Sequence, residues 1–405
     1  MPLLPDLQSF DVVVVGLGPA GAAAAYECTR SGLKVLALDK GVHPRYKVCG
    51  GGLSARIDQL LGGAFQSVIE HIIYGVRFAC AGADPFTIES SSPIAYMVMR
   101  DRFDHCLVER ARGAGTEIRQ GESAKRFTPV QDGVEIETDR GRYRAKVLIG
   151  ADGANSVVAQ QLFPRRKRRC MPTLESEIDI GQSPVYPRER FVGIELGTTA
   201  CGYGWIFPKN ERLSIGIAEF RGPSASPRQV FSRFVQREEG LRSKGWTIPP
   251  PQGHPLPLFN PRVFGEPRFG SLELVNGRTL LIGDAAHLVD PLFGEGIYYA
   301  VKSGQLASRS AVEVVRGLAQ SLEGYSRAVY REIYPEFRVA SRMASILYSF
   351  PRLCYRLAHR YQELVQLYCR VLQGQETYQT FLGLAKSTVK TSLYHWVRDG
   401  FRARS

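Results

Sequence analysis

The sequence predicts an α/β fold: a parallel-sheet domain of nucleotide-binding type built from separated segments, an antiparallel β-sheet domain inserted into it, and a helical region at the C-terminus. Three observations carry this. A strand, a glycine-rich turn and an Ala-rich helix stand at the N-terminus; two more apolar strand runs ending in glycine turns recur near residues 140–150 and 278–283; and residues 72–96 and 173–270 alternate apolar and polar positions among many Gly and Pro.

Taking the elements in order, residues 11–15 (DVVVV) form a continuous β-branched run, residues 19–31 an Ala-rich helix and residues 34–39 a second strand, together a βαβ unit. Between strand and helix, Gly16, Gly18 and Gly21 stand at GxGxxG spacing with Pro19 and Ala20 opening the helix. Such glycines permit a tight turn, close approach of a pyrophosphate and strand–helix packing, while the helix N–H groups face the phosphates; this is a Rossmann-type dinucleotide site. Asp39 closes the second strand, where a carboxylate can accept from both hydroxyls of an adenosine ribose, and Lys40 follows it.

NAD and FAD share that fingerprint, and later segments choose FAD. Residues 97–120 read as a helix leading into a short strand, and Arg100 on it is either a surface arginine or a bridge to FAD phosphate or ribityl oxygens. Asp152 and Gly153, in the GADGANS turn after the 140–150 strand, give a turn, a helix cap or a ligand bond. After the 278–283 strand, Asp284 can bond a flavin ribityl chain. Pro291, Gly294, Gly296 and Ile297 then lead into a helix over 296–315, whose N-terminus favours negative charge at the N1/C2 edge of reduced flavin. The FAD-binding domain is therefore expected from residues 1–71, 97–172 and 271–330, the substrate domain from 72–96 and 173–270, and a C-terminal helical region from 331–405.

With 405 residues and 44% apolar composition the chain is long enough for a large core, which excludes a disordered protein. The net charge of +13 favours an anionic partner, and residues 331–405 carry 12 basic against 5 acidic residues. The eight cysteines form no CxxC pair or His/Cys ligand spacing, so a reducing compartment and no structural metal are expected. There is no secretory signal and no apolar run of roughly 18 residues, so the expected location is cytoplasmic, with any work on lipid done from the inner face of a membrane.

The ordered motifs GxGxxG, Arg100 with Phe103 and Asp104 after it, GADGANS, and GDAAH followed by Pro291 and GEG resemble the p-hydroxybenzoate hydroxylase-like FAD-dependent oxidoreductase superfamily, over roughly residues 8–330. Within it, residues 44–54 (PRYKVCGGGLS) are similar to the PxxKxCGGG segment of the geranylgeranyl reductase family, and residues 203–209 (YGWIFPK) to its YxWxFPK signature. The resemblance implies an FAD enzyme that reduces carbon–carbon double bonds in a polyprenyl chain of a lipid or pigment precursor. It places Cys49, Gly50 and Gly51 at the flavin, and Tyr203, Trp205, Phe207 and Pro208 at the substrate.

The residues alone leave alternatives. Three consecutive glycines let backbone approach a flat ring system, and three aromatics at strand spacing share one face, as a cavity wall or as ordinary core. Cys49 is a packed small side chain or the proton donor that hydride addition to an alkene requires, a role water also fills. With no second GxGxxG, the electron donor is a transiently bound NADPH or a ferredoxin-type carrier. His287 and Asp290 read like the aromatic hydroxylase version, and Phe293 stands where small polar residues are common in the reductases, so a monooxygenase of an aromatic or lipid substrate is the alternative. A membrane-associated, flavin-bearing scaffold is the reading from another class. The basic run 165–169 and the C-terminal helices with Tyr355, Tyr361, Tyr368, Tyr394, Trp396 and Phe401 suit an anionic membrane surface, and no nucleic-acid module is present.

Overall fold

The strand Gln8–Val15 lies near the centre of an eight-stranded sheet, with Val35–Asp39 parallel on one side and Arg142–Gly150 parallel on the other. Glu117–Gln120 and Thr279–Leu281 extend the parallel core outward, and Ala124–Val130 with Gly133–Thr138 add an antiparallel hairpin. The computed structural model describes residues 7–80, 83–166, 170–181, 190–220, 226–238, 245–260 and 270–384. Strands buried on both faces need unbroken apolar runs, and Val12 to Val15 and Leu36 to Leu38 supply them.

Helix Pro19–Arg30 packs along helix Ile297–Val315 on one face of this sheet, so the N-terminal turn and a segment almost three hundred residues later become neighbours. Gly16 makes the first turn feasible. Its φ is +98°, and a Cβ there would stand 2.4 Å from Ala151 O, at the turn after the neighbouring strand.

The second sheet has seven strands in the order Gln252–Leu256, Met171–Asp179, Arg212–Glu219, Gly202–Pro208, Phe191–Leu196, Gly75–Cys80 and Ala83–Glu89. Its neighbours are antiparallel except the pair Phe191–Leu196 and Gly75–Cys80, next to the edge strand Ala83–Glu89. Alternation along the strands gives it two characters. Leu174, Ile178, Leu213, Ile215 and Ile217 pack with helix Pro227–Arg237, whereas Tyr203 and Trp205 belong to a second core shared with the C-terminal helices. A small sheet of Gly52–Ser54, Ala95–Val98 and Ile69–Ile73 joins the two large ones.

The C-terminal pattern resolves into helices Tyr334–Ser349, Pro351–Arg360 and Gln362–Leu372, with breaks at Phe350 and Tyr361. They cover the seven-stranded sheet: Tyr355 OH donates to Asp84 O, the Phe86 and Tyr355 ring centroids are 5.3 Å apart, and Tyr348 OH donates to Leu292 O. Two aromatics read from the sequence as surface-docking, Tyr355 and Tyr368, therefore face inward, because the sheet offers them apolar partners. Tyr394, Trp396, Phe401 and residues 167–169 of the basic run lie outside the described residues.

Candidate cofactor and substrate cavity

A cavity of about 260 Å³ runs between the two sheets, with Gly18, Pro19, Ala20 and Gly153 at one end. Cys49, Gly50, Gly51, Arg100, Asp284, Gly294, Gly296 and Ile297 border its middle. Val76, Phe78, Val192, Ile194 and the aromatic strand wall the other end, which Tyr368 and Leu372 of helix Gln362–Leu372 close. Two helix N-termini converge on it, at Pro19 and Ile297, and neither helix has an acidic residue in its first turn. Their unpaired N–H groups are left for an anionic ligand. That arrangement, with open space around Gly18, fits a dinucleotide pyrophosphate.

The glycine segment forms the joint between the two ends. Gly51 has φ +72°, its C=O accepts from Val98 N–H at 2.9 Å, and a Cβ there would stand 2.1 Å from Val98 O. A Cβ on Gly50 would meet the Phe207 ring at 2.9 Å and Trp205 Nε1 at 3.2 Å, so the two signature segments lie directly against each other. Tyr203 OH donates to Phe293 O at 2.5 Å, and Trp205 Nε1 to Ser214 Oγ at 3.2 Å, which satisfies both polar tips and leaves the ring faces to the cavity. Gly216 gives Trp205 its place: a Cβ there would lie 2.1 Å from the indole. Pro208, by alternation, falls on the opposite sheet face from Phe207 and is not part of the cavity wall.

Arg100 is buried in a bidentate pair with Asp104, at 2.9 Å for each bond, and is in hydrogen-bond contact with Cys49. Burial opposes its charge, but Asp104 and Cys49 together raise its pKa. Asp284 lies 3.7 Å from Lys47 Nζ. Asp39 is buried behind the first turn, accepting from Leu17 N–H at 2.7 Å and Gly41 N–H at 2.8 Å. Burial would raise its pKa, yet His43, Arg45 and these N–H groups hold it at about 2. Lys40 is exposed beside it. Asp152 serves the neighbouring helix, accepting from Val157 and Val158 N–H at 2.6 and 3.2 Å and bonding Ser156 Oγ at 2.5 Å; the free helix N–H groups compete for the carboxylate. Pro291 is buried outside the cavity wall.

Three groups here escaped sequence reasoning. His254 borders the cavity from the edge strand, with Nε2 buried and unpartnered; burial and then Lys47 depress its pKa to about 4, against Asp284, so the ring is neutral at pH 7. Glu295 borders the cavity between its two glycines and is clasped by Arg56 and Ser54. Glu175, Glu177 and Lys209 form a buried cluster beside the aromatic strand, with Lys209 Nζ 3.3 Å from where a Cβ on Gly51 would stand. Glu295, inside GEG, and Lys209, closing the YGWIFPK segment, carried a signal in the sequence; His254, Glu175 and Glu177 did not.

Residues 9–329 match the family described as FAD binding domain. The digeranylgeranylglycerophospholipid reductase 1 of Methanopyrus kandleri is 30% identical over 84% of this chain and 91% of its own. The geranylgeranyl diphosphate reductase of Rhodobacter capsulatus is 30% identical over 76% of each chain. Among solved structures, a geranylgeranyl bacteriochlorophyll reductase-like protein of Thermoplasma acidophilum superposes with a TM-score of 0.71 at 22% identity, over 84% of this chain and 88% of that one.

Proposed function

We propose that this chain, which belongs to the geranylgeranyl reductase family of FAD-binding oxidoreductases, reduces isolated carbon–carbon double bonds in the polyprenyl chain of a lipid or pigment precursor. One observation carries the reading. A single cavity joins the two anion-binding helix N-termini to an apolar arm walled by Val76, Phe78, Ile194, Tyr203, Trp205 and Phe207, with Cys49 at the joint. An alkene offers no group to hydrogen-bond, so apolar walls and flat aromatic faces are what can hold it in place.

Bound FAD, once reduced, supplies a hydride to one alkene carbon. The protein supplies the rest. Gly18, Gly153 and the helix at Pro19 would hold the pyrophosphate, Asp284 and the Ile297 helix N-terminus would hold the ribityl chain and ring edge, and Gly50 and Gly51 would let the ring approach backbone. The Cys49 thiol gives its proton to the second alkene carbon, and Arg100, in contact with the sulfur, offers a counter-charge. Tyr203, Trp205 and Phe207 orient the chain and keep water out. Electrons arrive from a transiently bound NADPH or a ferredoxin-type carrier. Eight widely spaced cysteines with no CxxC pair support work in the reducing cytoplasm.

Anaerobic incubation of the dithionite-reduced protein with geranylgeranyl diphosphate and with digeranylgeranylglycerophospholipid tests this. Mass spectrometry is expected to find products heavier by the hydrogens of whole reduced double bonds, and Cys49→Ala to lower turnover about 100-fold or more. Flavin that stays reduced with every prenyl substrate overturns the reading. Incorporation of label from dioxygen would mark a monooxygenase instead.

A further inference from the structure

We propose that the corner formed by helices Tyr334–Ser349 and Pro351–Arg360 docks the protein onto an anionic lipid bilayer. Four large apolar side chains stand exposed there: Ile346 at 60%, Phe350 at 61%, Leu353 at 55% and Leu357 at 38%. Ile346 and Phe350 stand one turn apart at the end of the first helix and Leu353 and Leu357 one turn apart on the second, and hydrogen bonds continue across the bend at Phe350, with Phe350 N–H donating to Ile346 O and Cys354 N–H to Phe350 O, each at 3.0 Å. Scattered apolar residues on a surface are ordinary; a contiguous row at helical spacing marks an interaction site.

Charge names the partner. Arg338, Arg342, Arg352, Arg356 and Arg360 are all exposed on these two helices, residues 337–362 contain no Asp or Glu, and none of the five arginines pairs with a carboxylate among the described residues. An apolar row flanked by unpaired arginines matches the acyl boundary and phosphate layer of an anionic leaflet. A second copy of the chain fits poorly, because a two-fold contact would press two sets of five arginines together.

The opposite face of the corner lies over the substrate end of the cavity. Tyr355, on the buried side of the same helix, packs on Phe86, and the helix covers the strand that contributes Val76 and Phe78 to the cavity wall. A bilayer seated on the corner would therefore stand one helix layer away from the apolar arm.

Flotation of the FAD-loaded protein with vesicles of phosphatidylcholine alone, or mixed with phosphatidylglycerol, tests the surface without any turnover, so its outcome is independent of the assigned reaction. Binding is expected only with the anionic vesicles. It should weaken as salt shortens the Debye length from about 10 Å at 0.1 M to about 3 Å at 1 M. Arg352→Gln and Arg356→Gln should each cost about fivefold in affinity, and the pair Phe350→Ser with Leu353→Ser about tenfold or more. All four positions are exposed, so flavin content and melting temperature should hold, which separates lost docking from misfolding. Equal binding by wild type and variants overturns the proposal. So does a concentration-dependent dimer, broken by the same substitutions, in a protein that ignores vesicles.

Discussion

Glu175 is 1% exposed on the cavity side of the seven-stranded sheet, accepting from Ser214 Oγ at 2.9 Å, while Ser214 in turn accepts from the Trp205 indole. Two residues along, Glu177 pairs with the buried Lys209, so one ammonium faces two carboxylates. Burial, reinforced by Glu177 and opposed by Lys209, pushes Glu175 up to about 8. In the unfolded chain it would release its proton near 4.5. Over that interval the folded state holds more protons, so stability falls as pH rises, by up to about 1.4 kcal/mol per pH unit. His254, depressed from 6.5 to about 4, acts in the opposite sense but only below its unfolded value. Asp290, raised to about 6, has largely titrated by neutrality, whereas Glu195, raised to about 7, is half titrated there and adds a smaller fall of the same sign. Between pH 7 and 8, Glu175 is thus the larger contributor to the slope. Urea unfolding at the two pH values should give a lower stability at pH 8 for the wild type and a clearly shallower fall for Glu175→Gln; parallel slopes would exclude Glu175 as the main source.

At the scale of elements, the glycine-segment strand Gly52–Ser54 and the Gly294–Gly296 turn are clasped by one buried network. Arg56 pairs with Glu295, donates to Tyr299 OH at 3.2 Å and lies 4.2 Å over the Tyr298 ring, while Ser54 Oγ donates to the same Glu295. Removing one partner of a buried pair leaves an uncompensated charge, so Arg56→Met should destabilise by about 3–5 kcal/mol. Adding Glu295→Gln should recover part of the loss in a thermal melt; additive losses would mean that the two side chains do not interact. The clasp also marks the limit of reading elements from sequence. Strands such as 11–15 and 34–39 are legible because parallel strands buried on both faces leave unbroken apolar runs with glycines at their ends. Arg56 and Glu295 are 239 residues apart, and neither breaks its local pattern. Glu175 and Glu177 were hidden for a related reason: polar residues alternating along a strand look like a solvent face, and only the glycine segment packed above them makes that face interior.

For the molecule as a whole, the three-piece assembly of the parallel sheet could be inferred because the strand-then-glycine signature recurs three times, but the position of the C-terminal helices could not. Their composition, basic and aromatic, suits either a surface or a core. The structure gives them both sides, with arginines outward and Tyr348, Tyr355 and Tyr368 inward. Consequently the cavity has no single owner. The first sheet supplies its anion-binding end, the second sheet its apolar wall, and helix Gln362–Leu372 closes it through Tyr368 and Leu372. A wall made by a separate element sets the length of arm available, and in a cavity of about 260 Å³ one indole in place of an isobutyl group takes up a sizeable share. Leu372→Trp should therefore discriminate by chain length. Turnover of a short prenyl substrate should persist, while kcat/KM for a geranylgeranyl chain should fall about tenfold or more, a loss comparable to the 1–3 kcal/mol that a methylene-sized misfit costs in an apolar pocket. Steady-state rates across a series of prenyl lengths would check it. An equal loss at every length would mean that Leu372 supports the fold without bounding the substrate, and that the arm ends elsewhere along the sheet.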